Sequence, residues 1–103
     1  MERLLKNNWK FKNPEFQKIE SYSNANYKVE DAGKKYILKV YPYEKNAVDW
    51  VEAENNLLLW LNKKIADRFP LPQKTTTNET FAIDTKSKKV FRLLSWLEGD
   101  FFS

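Results

Sequence analysis

Two side chains of opposite charge stand where only a partner or a ligand makes them tolerable. Lys39 is the one cation inside the run Tyr36-Ile37-Leu38-Lys39-Val40-Tyr41. Alternate residues of a strand share a face, so Ile37, Lys39 and Tyr41 point one way and Tyr36, Leu38 and Val40 the other. An ammonium between Ile and Tyr must snorkel to water, find a carboxylate or hold an anionic ligand. Farther along, Glu54 falls in a helical pattern. At about 100° per residue, Trp50, Leu57, Leu58, Leu61 and Ile65 occupy an arc of roughly 100° with Glu54 inside it, and Glu52 lies roughly 160° from Glu54. A carboxylate inside an apolar stripe is costly unless compensated. The helix starts only a few residues after the strand, which makes Lys39 its natural partner. A purely structural ion pair, or a glutamate at the rim of the stripe, is the other reading these residues leave open.

The composition removes whole classes of chemistry. Cysteine and histidine are both absent, which excludes thiol nucleophiles, histidine bases, zinc-finger patterns and Ser-His-Asp arrangements, and no metal site is expected. The lack of disulfides and of any signal-like or membrane-length apolar run points to the cytoplasm, with no membrane partner. A chain of 103 residues makes one small domain or one lobe of something larger, and its 42% hydrophobic content demands a core. Charge is uneven. Residues 1–45 hold ten Lys/Arg against six Asp/Glu while the rest balances, so the front half suits phosphate, nucleic acid or another anionic partner.

The elements that must position Lys39 and Glu54 follow from the pattern. Residues 1–8 read as a short helix or a tail tied down by Leu4, Leu5 and Trp9, within an extension over 1–15. Strands are expected at 16–22, 25–31 and 34–41, and Gly33 supplies the positive φ of a tight hairpin. Pro42 closes the third strand. Asn46 is the expected helix cap, with Asp49 three positions on. One long helix follows over 46–68, its acidic residues early and its basic residues late. Residues 75–77 and 80–84 read as β-rich, 84–88 as a polar hairpin tip, and 90–96 as an apolar, central strand. The expected fold is α+β: a five-stranded antiparallel sheet with one long helix on one face.

This order resembles the N-terminal lobe of a kinase, of the kind found in aminoglycoside phosphotransferases, choline kinases and hydroxylysine kinases rather than protein kinases. The resemblance rests on the Tyr36-Ile37-Leu38-Lys39-Val40 strand, on Glu54 with Trp60-Leu61 late in its helix, and on Leu94-Ser95-Trp96-Leu97-Glu98-Gly99, which is similar to an interlobe hinge. It covers about residues 16–103. It implies that Lys39, held by Glu54, contacts the α- and β-phosphates of ATP. It further implies that the Ser95 carbonyl and Leu97 amide bond adenine, with Leu94 behind the ring and Ile37 bordering the nucleotide. The turn over the phosphates is Ser21-Tyr22-Ser23-Asn24-Ala25-Asn26, which lacks glycine; backbone amides of Ser23, Asn24 and Ala25 are expected to face phosphate.

The kinase loop aspartate, its asparagine and the Mg²⁺-holding aspartate belong to a second lobe that these residues do not supply, and Asp100 lies too near the hinge to replace them. No catalytic residue is therefore expected in this chain. It reads as the ATP-binding lobe of a longer protein, even an aminotransferase fusion, with residues 97–103 leading into a C-terminal lobe that completes the site in cis. The acceptor implied is a small hydroxyl-bearing molecule such as an amino sugar, choline or a hydroxy-amino acid. Two other readings stand beside it. One is a basic nucleic-acid module using Lys28, Lys34 and Lys35 near Tyr27, Tyr36 and Tyr41; the other is a protein-interaction module docking through its apolar C-terminal end.

Overall fold

The computed structural model describes residues 2–19, 25–44, 46–65 and 69–96. In chain order they form α1 (Glu2–Trp9), β1 (Glu15–Ile19), β2 (Ala25–Asp31), β3 (Lys34–Pro42), α2 (Ala47–Lys64), β4 (Ala82–Asp84) and β5 (Lys89–Ser95). The strands make one open, antiparallel sheet in the order β1-β2-β3-β5-β4. The α+β expectation and the five antiparallel strands are what the structure holds, with two helices in place of one.

The β2–β3 hairpin sets the register of everything else. Ala32 and Gly33 both have positive φ, 51° and 78°, as a two-residue primed turn requires. Asp31 therefore faces Lys34, and the ladder runs on to bring Asn26 opposite Lys39. A slip of one residue would turn every side chain of β3 to the wrong face. The Val90–Phe91–Arg92–Leu93–Leu94 run of β5 is buried throughout and lies between β3 and β4, in keeping with its apolar reading as a central strand.

Both faces of the sheet are covered, one by α2 and the other by α1, the short N-terminal helix that residues 1–8 suggested. Leu5 and Trp9 of α1 pack with Val29, Leu38, Val40, Ala82, Phe91 and Leu93, since residues four apart share one side of a helix. Trp9 also donates its indole N–H to the Gln73 carbonyl, 2.9 Å. On the opposite face Val51 of α2 meets Tyr41 and Val90, with Val48 and Phe81 beside them.

Three local expectations are corrected. The buried face of α2 is carried by Val51 and Asn55, whereas Trp50, Leu57 and Ile65 of the expected stripe are 51%, 54% and 48% exposed. Apolar periodicity gave the helix, but its phase is set by β5, where Arg92 needs Asn55 as a polar partner. Asn46 makes no side-chain capping bond. Residues 75–77 form no strand: Asn78 donates to the Thr75 carbonyl and Thr75 to the Glu79 carbonyl, while the Glu79 amide donates to the Thr75 hydroxyl. Thr75 spends its hydrogen bonds within a turn while the Thr76 amide donates to the Asn8 carbonyl, and the strand begins only at Ala82.

Candidate functional site

Register alone assembles the site. Ile19 pairs with Asn26, Asn26 with Lys39, and Lys39 with Arg92. Paired residues point to the same side of a sheet, so one row across four strands carries an amide, an ammonium and a guanidinium on the face that α2 covers. The next row is Gln17, Lys28, Ile37 and Leu94. Its last two members are buried and give the polar row an apolar neighbour.

Arg92 is 1% exposed, and a buried guanidinium is tolerable only when its donors are met. They are met from three directions. Nε donates to the Tyr41 hydroxyl at 2.9 Å and Nη1 to Asn55 Oδ1 at 3.0 Å. Nη2 donates to Glu54 Oε1, completing an ion pair. Asn55 is itself oriented by a bond from Nδ2 to the Thr80 carbonyl, 2.9 Å. The guanidinium carbon lies 5.5 Å from the Tyr41 ring centroid and 5.6 Å from that of Trp50, within reach for a cation–π contact. Trp50 thus covers Arg92 with one part of its ring while remaining half in solvent. Glu54 faces the sheet, and Glu52 is exposed.

Lys39 differs in kind. It is half-buried, and among the described residues no hydrogen bond or ion pair reaches its ammonium. Burial holds its pKa below the ordinary lysine value of 10.5; repulsion from Arg92 pushes the same way, and attraction to Glu54 opposes both. The direct Lys39–Glu54 pairing expected from the sequence is therefore taken by Arg92, with Lys39 close enough to feel both charges. The chemistry suits the split, because a rigid planar fork fits fixed buried contacts and a flexible ammonium fits a ligand that comes and goes. Beside Lys39, Asn26 Oδ1 is buried with no hydrogen-bond partner among the described residues.

The end of β5 is tied to residues 71–73. Ser95 donates its amide to the Leu71 carbonyl and Gln73 donates to Leu93, while Pro72 bridges Leu94. The Leu71 amide goes to the Ser95 hydroxyl at 2.8 Å, not to the Ser95 carbonyl. Lys28 is engaged, its ammonium 4.9 Å from the Trp96 ring centroid and 3.9 Å from Glu30, so one of the three lysines of the nucleic-acid reading already has partners.

Of the residues singled out from the sequence, the fold brings Ile37, Lys39, Glu54 and Leu94 to one face, with Ser95 at its edge and Ala25 at the start of β2. Ser23, Asn24 and Leu97 lie outside the described residues. Asn26, Tyr41, Asn55 and Arg92 were missed as partners in this cluster. For Arg92 the signal was present: a single cation in an apolar strand, the same feature that marked Lys39.

A family model described as the phosphotransferase enzyme family, APH, matches residues 15–101. A search of curated proteins finds no match.

Proposed function

We propose that this chain, which belongs to the APH phosphotransferase enzyme family, is the ATP-binding N-terminal lobe of a small-molecule kinase. The observation that carries the reading is Lys39: a half-buried ammonium on the sheet face, without a partner among the described residues, beside an apolar wall of Ile37 and Leu94. Lys39 would meet the α- and β-phosphates, the amides of Ser23, Asn24 and Ala25 the outer phosphates, and Leu94 and Ile37 the base. The Ser95 carbonyl and Leu97 amide would bond the adenine edge; that the Leu71 amide takes the Ser95 hydroxyl supports this role for the carbonyl. Glu54 acts through Arg92, fixing α2 on the sheet and tempering the charge around Lys39.

Phosphoryl transfer needs a positioned metal and a base. Among the described residues no three acidic or metal-ligating side chains gather. In this reading Mg²⁺ is held mainly by a C-terminal lobe acting in cis, which also selects the hydroxyl-bearing acceptor, and the present chain binds nucleotide without turning it over. No described helix is long and apolar enough to cross a membrane. The test is amide and side-chain NMR during titration with ATP–Mg²⁺. Perturbations should gather at residues 23–26, Ile37, Lys39 and 95–97. A response confined to exposed lysines such as Lys34 would reject the reading.

A further inference from the structure

Two unsatisfied groups adjoin each other at the centre of the sheet. Among the described residues, Asn26 Oδ1 is a buried acceptor without a donor, and its register partner Lys39 is a cation to which no hydrogen bond or ion pair runs. On the other side of Lys39, Arg92 has taken the Glu54 carboxylate and is itself immobilised by Tyr41 and Asn55. We propose that Asn26 and Arg92 are positioning residues for Lys39: Arg92 keeps Glu54 occupied, and Asn26 supplies the acceptor onto which the released ammonium closes when it meets a phosphate-bearing ligand. The inference rests on the nucleotide reading above and deepens it.

The physics favours this direction of movement. Like charge repels Lys39 from β5, and the Glu54 carboxylate is already spent on Arg92. Toward β2 an amide oxygen waits in a desolvated setting, where an unmade hydrogen bond is costly. An ammonium has three donors, so it can give one to Asn26 and keep two for phosphate oxygens.

The test separates stability from binding, using the full chain, ATP–Mg²⁺ as the probe and the Lys39 ¹³Cε resonance as the local readout. Asn26→Leu removes an acceptor that is unpaired without ligand, so the variant should unfold in urea no earlier than the wild type. Its ATP affinity should fall about tenfold, the worth of one hydrogen bond to a charged group, and the ATP-induced shift at Lys39 should shrink. Should Asn26→Leu not fold, Asn26→Val makes the same comparison with a strand-favouring side chain. Equal ATP binding and an equal Lys39 shift in the Asn26 variant would overturn the proposal while leaving the nucleotide reading intact. A wild-type chain whose Lys39 ignores ATP would overturn both.

Discussion

Arg92 faces Lys39 directly across the β3–β5 ladder, and it is Arg92, not Lys39, that carries the ion pair with Glu54. The sheet therefore holds two cations side by side with separate tasks. One is locked into the fold by four neighbours, and the other has no hydrogen bond or ion pair among the described residues.

This division predicts an order of stabilities. Arg92→Ala leaves Asn55 and Tyr41 without their partner and opens space beneath Trp50; the expected loss is about 3–5 kcal/mol. Glu54 is 34% exposed on its side chain, so water screens its pair. Glu54→Ala should cost roughly 1–2 kcal/mol. Urea unfolding of the two variants against wild type measures both, and a Glu54 loss equal to the Arg92 loss would contradict the assignment.

The pH dependence of stability carries a second signature. The folded pKa of Lys39 lies below 10.5, so between that lowered value and 10.5 the unfolded chain binds more protons, and stability rises with pH across that window. Burial holds Tyr36 and Tyr41 above their usual 10.0, with Asp31 reinforcing the first and Arg92 opposing the second. Above 10.0 the unfolded tyrosines ionise first, and stability falls. The urea midpoint should climb toward about pH 10 and then turn over. Lys39→Met should lose the climb and keep the fall.

The helix α1 precedes the matched family range yet seals one face of the sheet. Leu5 is fully buried there, and Leu5→Ala should cost about 2–5 kcal/mol. Removing residues 1–9 should expose Leu38, Val40 and Leu93, seen as increased binding of an apolar dye such as ANS. A truncated chain with unchanged stability would show that α1 is dispensable.

The hairpin offers a gain instead of a loss. Ala32 sits at φ 51°, a conformation costing a residue with a Cβ roughly 1 kcal/mol. Ala32→Gly or Ala32→Asn should raise stability by roughly 0.5–1 kcal/mol, read as a higher urea midpoint at constant slope.

How far the sequence disclosed this molecule can be judged residue by residue. The alternation around Lys39 and the Ala32-Gly33 turn gave the central hairpin, because both are local signals. Lone charges in apolar runs pointed to the right face, since Glu54 and Lys39 do share one electrostatic cluster. The pairing within that cluster was hidden. It depends on β5 lying beside β3, a contact between residues more than fifty positions apart, and on a helix phase that Asn55 fixes through Arg92. An apolar stripe alone could not reveal that phase, because Trp50, Leu57 and Ile65 stay largely in solvent.

The most direct measurement of the central claim is calorimetric titration of wild type and Lys39→Ala with ATP–Mg²⁺ and, separately, with a single-stranded oligonucleotide at moderate salt. The account predicts weak but saturable ATP binding that disappears in the variant, with the oligonucleotide binding less tightly than ATP. Oligonucleotide binding tighter than ATP, or ATP binding indifferent to Lys39, would contradict it.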